Sequence, residues 1–148
     1  MPSTFEKLNL KDLTQIVVLN APQSFEPELK SLRGVTVARN LAAADAVEFS
    51  LAFVTKQSEV DSVAKLVAKK AKGDAVVWFA YPKGTSKKYR SEIKRDSGWQ
   101  VMGNYGFEPV RMVAIDEDWS ALRFRRVEFI KNMTRPDPHR LTKRSKQV

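Results

Sequence analysis

Apolar residues fall in short runs separated by polar stretches that carry glycine or proline. Ile16-Val17-Val18-Leu19 is β-branched and stops at Asn20-Ala21-Pro22, which predicts a strand and its terminating turn. Val35 to Ala38 predicts a second strand. Phe49 to Val54 and Ala75 to Ala80 are continuously apolar, the pattern of strands covered on both faces. Between those two runs, Val60, Val63, Val67 and Ala71 recur at helical spacing, with Ala64 and Leu66 widening the stripe. Ser58 is placed to cap that helix, and Gly73 follows its lysine-rich end. A shorter helix is predicted from Glu26 to Arg33, with Pro27 in its first turn and Gly34 behind it. A basic helix is predicted from Ser86 to about Arg95. Finally, Val110 to Ile115 and Ser120 to Arg125 alternate apolar with polar or small residues across Asp116-Glu117-Asp118-Trp119, a β-hairpin with one solvated face.

Strands that alternate with helices imply right-handed βαβ units around a parallel sheet. The expected fold is therefore α/β: a three-layer, Rossmann-like, mainly parallel sheet closed by a C-terminal antiparallel hairpin. One such domain is expected over residues 1–130, followed by a basic, disordered tail over 131–148. A closing hairpin of this kind, preceded by Tyr105-Gly106-Phe107-Glu108-Pro109-Val110, is similar to the end of the class I methyltransferase fold. That likeness is one of element order and carries no activity by itself.

The stretches VLNAP, AYPKGTSK, RDSGW and PVRMVAIDEDWSALRFRR occur in that order between about residues 16 and 130. They resemble a family of small bacterial proteins of unknown function. The resemblance implies a small Rossmann-like domain in a bacterial cytosol, and it supplies no catalytic residue.

Composition narrows the chemistry. The 148 residues include no cysteine, which excludes thiol nucleophiles, disulfides and thiolate metal sites. The single histidine, His139, lies in the polar tail, so a histidine-based triad or metal site is not expected. The apolar runs are much shorter than a membrane span, and residues 1–13 have no signal-peptide core; the expectation is a cytoplasmic protein without a membrane partner. The formal charge is +9, and residues 131–148 hold six Lys or Arg against Asp137 alone. That tail, together with the predicted helix 86–95, suggests a nucleic-acid or polyanion partner; a solubilising extension is the plainer account.

A methyltransferase cofactor would need a glycine-rich turn after the first strand and an acidic residue on the second. Asn20-Ala21-Pro22-Gln23-Ser24 and Arg39 stand there instead, so no cofactor is predicted. The leading candidate is the loop Tyr81-Pro82-Lys83-Gly84-Thr85-Ser86-Lys87, which leaves a buried strand at its carboxyl end, where open α/β sheets bind ligands. Lys83, Gly84, Thr85, Ser86 and Lys87 are the expected ligand-binding residues, with Lys88 and Arg90 adding positive charge. Gly84 would allow close approach, and Thr85 or Ser86 would cap a helix whose free N–H groups attract a phosphate or carboxylate. The main expectation is a non-catalytic domain for a small anionic ligand; a degenerate methyltransferase-like enzyme is an alternative. Asp116, Glu117 and Asp118, with Asp96, are weighed as Mg²⁺ ligands against simple turn chemistry. Tyr81 and Lys83 with Asp96 are the candidate acid–base groups if there is catalysis. Trp78, Phe79, Trp99 and Phe124 are read as core, and Arg111, Arg123, Arg125 and Arg126 as the solvated face of the hairpin.

Overall fold

The computed structural model describes residues 4–41, 45–94 and 97–130. The tail 131–148 with His139, and Asp96, lie outside the described residues. Six strands form one mixed sheet: β1 (Gln15–Leu19), β2 (Thr36–Ala38), β3 (Val47–Phe53), β4 (Ala71–Pro82), β5 (Phe107–Ala114) and β6 (Trp119–Arg126). Their spatial order is β2-β1-β3-β4-β6-β5. The first four are mutually parallel, and β6 is antiparallel to both of its neighbours. The expected Rossmann-like α/β architecture with a closing hairpin is present at this level.

The hairpin is not simply appended, because β6 is inserted between β4 and β5. Pro109 gives a physical reason. It pairs opposite Phe124 and lacks an N–H, so the strand that contains it belongs at the sheet edge. The inner place then falls to β6, whose Phe124, Leu122 and Ala121 are buried. At the other edge β2 is only three residues long, which limits the unpaired backbone exposed there.

Two apolar layers sandwich the sheet. On one face the helix α3 (Gln57–Lys70) packs Val60, Val63, Ala64 and Val67 against Val77, Phe79 and Phe124, as its periodicity predicts. Its start is capped differently from expectation. Lys56 occupies the N-cap position, and the Glu59 carboxylate accepts the Thr55 and Lys56 N–H groups at 2.9 and 3.0 Å. Ser58 sits inside the first turn instead. A short helix α4 (Gln100–Asn104) completes this layer with Trp99 and Met102.

The opposite face is covered by a segment that reads as polar in sequence. Helix α1 (Thr4–Lys7) and the turn after it bury Phe5, Leu8 and Leu10, and the Leu8 carbonyl accepts the Trp78 indole N–H at 2.7 Å. Phe25, from the 3₁₀ turn Gln23–Phe25, and Leu29, from α2 (Glu26–Lys30), extend that layer. Among the described residues no helix is long and apolar enough to cross a membrane.

Candidate functional site

The carboxyl ends of β1 to β4 and the amino end of β6 share one rim of the sheet. Beside β4 that rim carries a cleft of about 730 Å³. Tyr81, Lys83, Gly84, Thr85 and Ser86 line it as the sequence suggests, whereas Lys87 is exposed outside it. Arg90 lines it too, and the structure adds Tyr89, Ile93 and Lys94 from farther along the loop, and Met112 and Ser120 from the hairpin. The hairpin residues are invisible to local sequence reading because they arrive through the insertion of β6. Tyr81 is nearly buried; its ring meets Trp99 edge-on at 5.7 Å, and its hydroxyl donates to Met112 Sδ at 3.3 Å.

The basic helix expected over residues 86–95 does not form; the described residues of that stretch are irregular. In a helix Lys87 and Arg90, three apart, would repel, and only Tyr89 and Ile93 would offer an apolar stripe. Long-range contacts decide the path instead. The Glu92 N–H donates to the Thr55 carbonyl at 2.9 Å, and the Glu92 carboxylate accepts the Gln57 N–H at the start of α3 at 3.0 Å. Ile93 is fully buried and fits against Gly98, whose φ of +98° is left-handed; an added Cβ would stand 3.2 Å from Ile93 Cγ2. The Trp99 indole donates to the Lys94 carbonyl at 2.8 Å.

Losing that helix removes the physical basis for an anion site at its N-terminus. Thr85 therefore caps nothing. Ser86 does accept the Tyr89 N–H at 3.2 Å, a capping contact on a turn that no helix continues. Gly84 needs neither a positive φ nor a close approach, since nothing lies within 4 Å of its virtual Cβ.

The acidic candidates serve the turn. Asp116 Oδ1 accepts the Asp118 and Trp119 N–H groups at 2.8 and 2.9 Å. Asp118 ties the hairpin to the loop: its Oδ1 accepts from Ser86 Oγ at 2.8 Å, and its carbonyl accepts the Lys83 N–H at 2.8 Å. No three acidic or histidine side chains come together as a metal site among the described residues. The hairpin arginines are also placed. Arg125 forms a two-point pair with Asp74, and Arg126 lies over Phe107 and donates to the Ala68 and Ala71 carbonyls.

At the other part of the same rim, Asn20 leaves β1 with φ +58°, and its side-chain amide donates to the Phe53 carbonyl at 3.4 Å. Pro22 follows without an N–H. Arg39, just past β2, makes two 2.8 Å hydrogen bonds to the Glu26 carboxylate, which holds that carboxyl below its usual range.

Solved structures share this fold. A SAM-dependent methyltransferase from Aquifex aeolicus superposes with a TM-score of 0.62 at 12% identity, over 83% of this chain and 87% of that one. This is a methyltransferase fold. A putative type 11 methyltransferase from Sulfolobus solfataricus gives 0.52 at 12% identity over 89% and 80% of the two chains. The magnesium protoporphyrin IX methyltransferase of Synechocystis PCC 6803, solved with bound SAM, gives 0.51 at 12% identity over 83% and 74%. At such identities the likeness establishes architecture alone. No protein-family model matches the chain, and no curated protein does. The family resemblance carried by AYPKGTSK and PVRMVAIDEDWSALRFRR thus gains no support, whereas the methyltransferase-like element order does.

Proposed function

We propose that the chain is a degenerate methyltransferase-like protein that works through the cleft beside β4. The observation that carries this reading is the insertion of antiparallel β6 between β4 and β5 in a sheet that superposes on methyltransferases. It displaces the helix-capped anion loop as the leading account, since no helix follows the loop, and any charge the cleft offers a ligand comes from side chains.

The residues at the end of β1 do not fit S-adenosylmethionine in the manner of a glycine-rich turn. Asn20 tolerates the left-handed backbone, but Pro22 removes an N–H donor and Phe25 fills the space below the turn, against Phe5 and Phe53. The residue just past β2 is Arg39, and the carboxylate it brings there, Glu26, is already engaged by it. No step through that cofactor follows from these residues.

The cleft itself favours a small molecule with an apolar or aromatic body and an acid group. Tyr81, Tyr89, Ile93 and Met112 supply apolar surface; Lys83, Arg90 and Lys94 supply charge, and no described carboxylate lines it. Two titrations test the proposal. S-adenosylmethionine should show no saturable binding below about 1 mM, weaker than ~4 kcal/mol of association. A panel of aryl carboxylates and aryl phosphates, followed by tryptophan fluorescence, should yield a ligand whose affinity falls at least tenfold in Lys83→Met and Arg90→Met. Micromolar binding of S-adenosylmethionine would restore an ordinary cofactor and end the degenerate reading. A ligand response indifferent to both substitutions would remove the cleft.

A further inference from the structure

A second cleft, of about 550 Å³, opens at the opposite rim of the sheet, lined among others by Arg123, Lys72, Gly73, Lys11 and Asn9. Arg123 projects from the middle of β6, register-paired with Trp78 on one side and Arg111 on the other. Its Nε is sealed from solvent, and its guanidinium makes no hydrogen bond or ion pair among the described residues. Asp74, the carboxylate whose charge acts on it, also lines the cleft, but both its oxygens are taken by Arg125 at 2.8 and 2.6 Å. Burial, and then the charges of Arg125 and Arg111, push its pKa below the ordinary guanidinium value; arginine nevertheless keeps its proton.

A half-buried guanidinium with an orphaned donor is costly unless something pairs with it. The backbone around it is unusual as well. Of the three non-glycine residues with left-handed φ among those described, Asn9 at +64° and Lys11 at +57° both line this cleft. Gly73, at +56°, lines it too, inside a bulge where the β3–β4 register jumps from Val47–Ala71 to Phe49–Val76. Lysine gains nothing locally from that conformation, and strain of this kind collects at ligand sites.

We propose that this cleft binds an oxyanion, with the Arg123 fork as its anchor and Lys72 as a second cation. The planar guanidinium suits two oxygens of a phosphate or carboxylate group. The cleft is larger than one phosphate, so the group belongs to a small metabolite. Asp12 and Glu48, which also line it, would accept hydroxyl or amine hydrogens from the body of that molecule.

The test uses the full chain at constant ionic strength with inorganic phosphate, phenyl phosphate and acetate. Phosphate or phenyl phosphate should raise the melting temperature of the wild type by several degrees in a saturable way. Acetate as the best ligand would instead assign the anchor to carboxylates. Arg123→Met should start from a higher melting temperature than wild type, because it removes an unpaired half-buried charge, and should lose the response. Lys72→Ala, at an exposed position, should keep the fold and weaken phosphate at least threefold. Both variants retain the basic tail, so their difference from wild type isolates the cleft. A wild type that responds to none of the three anions, or an Arg123→Met protein that responds as wild type does, overturns the proposal. Neither substitution touches the cleft beside β4, so its ligand response should be unchanged.

Discussion

The two ends of the sheet solve the problem of buried polarity in opposite ways. At the carboxyl end the loop after β4 has no regular structure, yet its polar groups find partners over long distances: Glu92 with Thr55 and Gln57, Ser86 with Asp118, Trp99 with Lys94. At the amino end left-handed turns at Asn9, Lys11 and Gly73 surround a regular strand, and the Arg123 guanidinium in that strand has no partner among the described residues. Each end also carries one orphaned donor, Trp119 Nε1 above and Arg123 Nε below. The indole is neutral and packs on Phe53 and Tyr89 rings, so its unmet bond costs about 1–3 kcal/mol. A guanidinium is different, because its charge attracts a counter-ion that an indole cannot. Irregular backbone is thus common to both ends of the sheet; unmet charge sets the amino end apart.

The sharpest way to break that comparison is to unpin the loop. Ile93→Ala removes a fully buried side chain that wedges the segment against Gly98 and α3, and it should cost about 2–5 kcal/mol in urea denaturation. The phosphate response at Arg123 should survive it. A cost under about 1 kcal/mol would mean that the loop is not tied to the core. Ser86→Ala should do less, about 1–2 kcal/mol, since it frees one Asp118 oxygen and the Tyr89 N–H. Amide exchange should then accelerate at Tyr89 and Lys83 while remaining slow in β4. Equal acceleration throughout β4 would show that the clasp holds the whole sheet.

What the sequence reveals follows the range of the forces involved. Phe49–Val54 and Ala75–Ala80 announce themselves because a strand covered on both faces needs apolar residues at every position. Val60, Val63 and Val67 reveal α3 by periodicity. The false helix over 86–95 has the opposite origin: Ser86, Tyr89 and Ile93 satisfy a local pattern, but Thr55, Gln57 and Gly98 determine their path from far along the chain. Phe5, Leu8 and Leu10 are hidden in a segment whose average is polar, and only the exposed apolar face of β3 and β4 explains their burial. The candidate cleft was half legible for the same reason. Tyr81 to Ser86 are contiguous, whereas Met112 and Ser120 arrive through strand order, for which Pro109 was the available clue.

The smallest expected effect contrasts a paired arginine with the unpaired one. Arg39 and Glu26 form a well-aligned but exposed pair, and Arg39's hydrogen bonds hold the Glu26 carboxyl below its ordinary value of 4.5. A carboxyl whose folded pKa is lowered contributes stability that is complete above its unfolded value and is lost as pH falls through the folded one. Comparing wild type with Glu26→Gln should therefore give a melting-temperature difference that is constant above about pH 5.5 and shrinks steadily below about pH 4.5. High salt should reduce it at every pH, because the pair is solvated. Arg123→Met should behave in the opposite sense, since no carboxylate partner titrates with it: its gain over wild type should persist through the same acid range. If Arg123→Met were instead less stable than wild type at neutral pH, and that loss faded on acidification as the Glu26→Gln one does, Arg123 would be paired with a carboxylate after all, and the two ends of the sheet would not differ in kind.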